Sequence, residues 1–183
     1  MAAARTARSV AAMPRSGLAP NPPAVRLRPV SPADEPLLRG LLDRVTGESR
    51  WTRFFTGGVD LDRVARMEAR CDDRRRFGVL ALDAAGALVG HGMCVPLEDG
   101  DACEVAFEVA DGHHRQGIGS AMLRHLVAEA RRRGVERLVA EVLPANRDMI
   151  DLLHDSGLPL AHRVAGGVAR YEIALAPDGD DPA

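Results

Sequence analysis

Between residues 102 and 133 the apolar pattern changes period within one glycine-bearing loop, and this limits the possible folds more than any other stretch. "ACEVAFEVAD" (102–111) alternates strictly, with Glu104, Ala106 and Glu108 on one face and Val105, Phe107 and Val109 on the other, as in a strand. From Gly117 to Arg133 the spacing is helical, with Ile118, Met122, Leu123, Leu126, Val127 and Ala130 as the buried stripe. Arg131, Arg132 and Arg133 suit the negative end of the helix dipole, and Gly134 stops the helix. A strand running through glycines into a helix N-terminus turns backbone N–H groups outward, where an anion can sit.

The flanking segments supply the rest of an α/β layered domain. "VRLRPV" (25–30) reads as a first strand. Ser31 with Glu35 beyond it and Pro32 at the first helical position mark a helix start, followed by Leu37, Leu38, Leu41, Leu42 and Val45 at helical spacing. "SRWTRFF" (49–55) has no clear period, and Trp51, Phe54 and Phe55 are expected in the core. Residues 60–70 read as a helix, and "RFGVLALDAAGALVGHGMCVPL" as two strands joined at Asp83–Gly86. "VERLVAEVL" is a strand, "ANRDMIDLLHDSG" a helix and "LPLAHRVAGGVARYEIAL" a final hairpin. Residues 1–24 and 177–183 are expected to be disordered tails around one domain at 25–176.

Composition excludes several classes. The 183 residues give a net charge of −2, with no bias towards nucleic acid or anionic lipid, and no apolar run spans a membrane. Cys71, Cys94 and Cys103 are an odd count without CxxC spacing, which fits a reducing cytoplasm better than a disulfide scaffold or a zinc site. All 24 basic residues are arginine, so the protein has no lysine of its own to modify.

The loop fails both common nucleotide patterns. Ile118 follows Gly117 where a P-loop needs lysine, and Met122 stands where a dinucleotide fingerprint needs its third glycine. Two readings stay open on the residues: a backbone anion site, aided by His114 and Arg115, or a tight turn into a helix.

"HRQGIGSAML" resembles the acetyl-CoA loop of the GNAT superfamily of N-acetyltransferases, with His114 where glutamine or arginine is usual. "RLRPVSPADEPLLRGLLDRVTGESRWTRFF", "CEVAFEVAD" and "VAEVLPANRDM" resemble the acetyltransferase domains of bacterial protein-lysine acetyltransferases. The resemblance implies a central mixed, mostly antiparallel twisted sheet, splayed into a V between the fourth and fifth strands and flanked by helices. It implies that acetyl-CoA lies in the V, its pantetheine along the backbone of Val109, Ala110 and Asp111. His114, Arg115, Gln116, Gly117, Ile118, Gly119 and Ser120 would hold the pyrophosphate, with Asn146 nearby. Glu104 is implied as general base, with Glu108 as its rival on the same face. A tyrosine acid has no counterpart, because Leu153 occupies its position.

The expected acceptor is a protein lysine, or alternatively a small amine. A rival from another class is a non-catalytic acyl-CoA-binding module. A monomer or homodimer is expected. His91, His113, His125, His154 and His162 show no metal-ligand spacing, so no metal is expected. The arginine run 74–76 reads as solvated surface, and the region of Trp51 would lie near the acceptor in the resembling family.

Overall fold

The computed structural model describes residues 25–45, 47–54, 58–71, 76–98 and 101–175. Both terminal tails, Phe55 and Arg74 and Arg75 fall outside the described residues.

Seven strands form one sheet: β1 (Arg26–Pro29), β2 (Phe77–Leu82), β3 (Leu88–Pro96), β4 (Ala102–Val109), β5 (Arg137–Val142), β6 (Leu160–Ala165) and β7 (Val168–Ala174). Their spatial order is β1-β2-β3-β4-β5-β7-β6. Every neighbouring pair is antiparallel except β4 and β5. The sheet is therefore mixed and mostly antiparallel, as the sequence implied.

Helices cover both faces. α1 (Glu35–Asp43), α2 (Gly47–Phe54) and α3 (Leu61–Ala69) precede β2; α4 (Ile118–Arg132) joins β4 to β5, and α5 (Arg147–His154) follows β5. β2 is buried along its whole length, so its alternate side chains serve two cores. Phe77, Val79 and Ala81 pack with α4, and Leu80 and Leu82 pack with α1 and α3. The α4 stripe that the sequence marks, Ile118 to Ala130, is buried throughout.

α4 lies close on the sheet because β3 has glycines beneath it. A Cβ on Gly90 would meet Ile118 and Met122 at 3.1 Å, and one on Gly92 would meet the Phe107 ring at 2.9 Å. Side chains there would displace the helix that follows the loop.

Three expectations are corrected. The first helical turn is closed by Asp34, not Glu35: the Ser31 N–H and Oγ–H both donate to Asp34 Oδ2. Arg28 donates to both Asp34 oxygens and is the main cause of its pKa falling to about 2. Leu37 is exposed, because the buried face of α1 needs only Leu38, Leu41 and Leu42. Trp51 is also exposed, at 51%, because α2 presents Arg53 rather than its aromatic towards the sheet.

Candidate active site

β4 and β5 pair only at Ala102↔Arg137, Cys103↔Leu138 and Glu104↔Val139. Beyond Glu104, β4 runs on to Val109 and β5 to Val142 without pairing, so the sheet opens into a V whose vertex is Glu104. The Ala102 carbonyl and the Ala110 amide both bond towards β3. By the two-residue alternation of a strand, the backbone groups of Val105, Phe107 and Val109 therefore point into the opening. Unpaired strand groups are costly unless something extended meets them.

The mouth of the V continues into a cleft of about 630 Å³. Val45, Ser49 and Arg53 form one wall, Phe107, Glu108 and Val109 the floor, and the first turn of α4 with Asn146 and the α5 acids the other wall. Gly117 caps α4 at φ 78°, a left-handed conformation that glycine adopts without steric cost. A Cβ on Gly119 would stand 3.4 Å from Leu152 Cδ2, an ordinary contact, so α5 packs against this turn of α4. Ile118 is buried under the loop, and Ser120 lines the cleft.

The loop cations point across the cleft. Arg115, at φ 60°, donates to Asp148 Oδ1 at 3.1 Å and Asp151 Oδ2 at 2.8 Å. His114 Nε2 lies 3.0 Å from the Val109 carbonyl, and its Nδ1 lies 3.3 Å from Asp148. Gln116 donates to the Gly112 carbonyl. Of the three backbone positions expected along the pantetheine, Val109 faces the opening, whereas the Ala110 amide donates to Val89 and the Asp111 amide to Arg44. Asn146 caps α5 by accepting from the Met149 N–H at 3.1 Å. Leu153 and Cys103 are fully buried.

The two glutamates of β4 share a face but stand in opposite environments. Glu104 is exposed at the vertex, beyond the lining of the cleft proper. Glu108 is buried and accepts from Arg53 Nε at 2.8 Å and from His91 Nδ1–H at 2.6 Å. Glu68 on α3 joins them, accepting from Arg53 Nη2 at 3.2 Å. Sequence spacing gave no sign of this cluster, in which atoms of Glu68, His91 and Glu108 lie within 4.8 Å of one another. A divalent cation can be held by such a set. Here Arg53 already balances one carboxylate, and the 2.6 Å His91–Glu108 separation is a hydrogen bond, too short for two ligands on one ion.

Two carboxylates, a guanidinium and the His91 imidazole share a dry site, where unbalanced charge is costly. Burial pushes Glu108 up, but Arg53 and His91 outweigh it and hold this carboxyl well below the usual range. Burial pushes Glu68 well up, and the neighbouring Glu108 charge adds to the rise. Of the two carboxylates, Glu68 is therefore the one that protonates more readily. A raised folded-state pKa gives stability that is full below the unfolded value, about 4.3, and is lost as pH rises through the folded value. Glu108 has the opposite sign, losing its contribution as pH falls through its folded value. Glu68→Gln mimics the protonated acid. Unfolding free energies from urea titrations across the pH range should fall above pH 5 for wild type, by at most about 1.4 kcal/mol per pH unit, and less for the variant.

The comparisons accord with this architecture. The model of the acetyltransferase (GNAT) family matches residues 47–158. The GNAT domain of S. lividans PAT is 31% identical at a TM-score of 0.74, covering 82% of this chain and 90% of that one. A phosphinothricin acetyltransferase from Sinorhizobium meliloti, solved with AcCoA, shares the fold at 19% identity and a TM-score of 0.70, over 87% of this chain and 94% of its own. A cAMP-binding acyltransferase from Mycobacterium smegmatis shares the fold at 24% identity and a TM-score of 0.56, over 86% of this chain but 46% of that longer one. With a family model matched over more than half its length and a loop, helix and opened sheet that fit it, the chain belongs to the GNAT family of acetyltransferases.

Proposed function

We propose that this chain is a cytoplasmic acetyltransferase that moves the acetyl group of acetyl-CoA to a protein lysine, with Glu104 as general base. The observation that carries the reading is the V: past Glu104, β4 and β5 no longer pair, and the Val105 and Phe107 backbone groups that face the opening lead towards the N-terminus of α4. An extended amide-bearing arm can pair with the strand while its pyrophosphate meets the outward N–H groups of residues 116 to 120.

An ammonium has no lone pair, so the acceptor must first give up a proton. Glu104 is the better placed of the two carboxylates to take it, because it is exposed where an acceptor can reach. Glu108 is occupied by Arg53 and His91, which stabilise its ionised form and make it a poor base. The amine nitrogen then bonds to the thioester carbonyl carbon, the C–S bond breaks, and the thiolate leaves. With Leu153 at the position of a tyrosine acid, the nitrogen's second proton passes through water to that thiolate.

Purified protein incubated with acetyl-CoA and a deacetylated lysate of its host tests the proposal, mass spectrometry reading lysines and small amines together. Acetyl label on protein lysines, lost in Glu104→Gln, is the expected result. Label on a small amine alone would move the acceptor, and cofactor binding without transfer would make the chain a binding module.

The α5 acids oppose a polyanion in this cleft. Asp148→Asn with Asp151→Asn releases Arg115 and should tighten acetyl-CoA binding about threefold at low salt, an effect that fades as ionic strength rises. Calorimetry at two salt concentrations measures it.

A further inference from the structure

We propose that Arg53 is a positioning residue for the transfer reaction: by bridging Glu108 of β4 and Glu68 of α3, it holds α2, one wall of the cleft, at a fixed height beside Glu104. The inference rests on reading the cleft as the transfer site, and it concerns a side chain that does not itself meet the reacting atoms.

Arg53 is a described side chain that ties α2 to both β4 and α3. Eight residues are too few for a helix to persist in water without tertiary support. Its Trp51 is exposed, and Phe54 is only partly buried against the second core, with the Arg53 guanidinium 4.9 Å over its ring. Arg50 donates to the Val45 and Leu42 carbonyls at 3.0 Å, which ties α2 to the end of α1. Arg53 instead reaches the sheet. One edge of its planar fork meets Glu108 at 2.8 Å and another meets Glu68 at 3.2 Å. Lysine carries its donors on one nitrogen and lacks the planar fork that meets the two carboxylates from separate nitrogens.

The placement links the clamp to the chemistry. Ser49 and Arg53, one turn apart on α2, line this wall of the cleft together with Val45, which precedes the helix. The charged and titratable groups around Arg53 come from each packed element: Glu68 from α3, His91 from β3, and Glu108 and Glu104 from β4. Arg53 lies within electrostatic reach of Glu104, so a displaced α2 changes both the shape of the wall and the field at the vertex.

The test compares wild type with Arg53→Lys and with the combined Arg53→Met, Glu68→Gln, Glu108→Gln variant, whose neutral cluster buries no unpaired charge. Hydrogen exchange follows the α2 amides, and steady-state kinetics use acetyl-CoA with poly-L-lysine. In both variants the α2 amides should exchange about tenfold faster or more, while β4 and α4 keep their protection. The KM for poly-L-lysine should rise more than kcat falls, with the KM for acetyl-CoA little changed. Unaltered α2 exchange in the folded triple variant overturns the clamp. Faster exchange with an unaltered acceptor KM overturns its part in positioning. If wild type itself transfers nothing to poly-L-lysine, it is the lysine-acceptor reading that fails, and α2 exchange alone decides the clamp.

Discussion

Glu104→Gln should lower turnover about 100- to 10,000-fold while acetyl-CoA affinity stays within about twofold. Glutamine keeps the size and polarity of the side chain but cannot accept the ammonium proton. Position also favours an unchanged affinity: Glu104 is the last residue of β4 paired with β5, and the groups that face the opening begin at Val105. Single-turnover measurement of CoA release with a saturating acceptor separates the proton-transfer step from binding. Full turnover in the variant would remove Glu104 from the role.

Glu108→Ala, four residues along the same face, should act on stability. It strips Arg53 and His91 of their shared acceptor inside the protein, and breaking such a buried pair typically costs about 3–5 kcal/mol. In a chain of this size that corresponds to a fall of roughly 10 °C or more in Tm. Glu104→Ala, at an exposed position, should shift stability by about 0.5 kcal/mol or less. Chemical denaturation of the two variants side by side makes the comparison. Similar losses in both would mean that the Arg53 cluster contributes little to holding the fold.

The contrast between these glutamates marks where sequence reading stops. Alternation along "ACEVAFEVAD" correctly gives their shared face, because side-chain direction is a property of the strand alone. What each one meets on that face depends on α2, α3 and β3, so the burial of Glu108 is invisible until those elements are placed. α4 was legible to within a residue at each end because its apolar stripe, dipole-matched arginines and stopping glycine all agree. α2 was not, since "GESRWTRF" is polar and Arg53 ties it to the sheet by charge pairing. The glycines of "HRQGIGS" were legible as special positions. Gly117 needs its positive φ, but the closeness of Gly119 to Leu152 comes from a helix 33 residues away in sequence, which no local pattern reveals.

The open seam between β4 and β5 makes the sheet a structure completed by its guest. A strand edge with unmet donors and acceptors is a standing deficit, which an extended cosubstrate can make good as a temporary eighth strand. Any ligand that binds only the folded state shifts unfolding by RT ln(1 + [L]/Kd), about 2.7 kcal/mol at a hundredfold excess over Kd. The durability of this protein would then follow the acetyl-CoA supply of its cell. In a starved cell it would open and be degraded sooner, so that the amount of enzyme, as well as its rate, would track the metabolite.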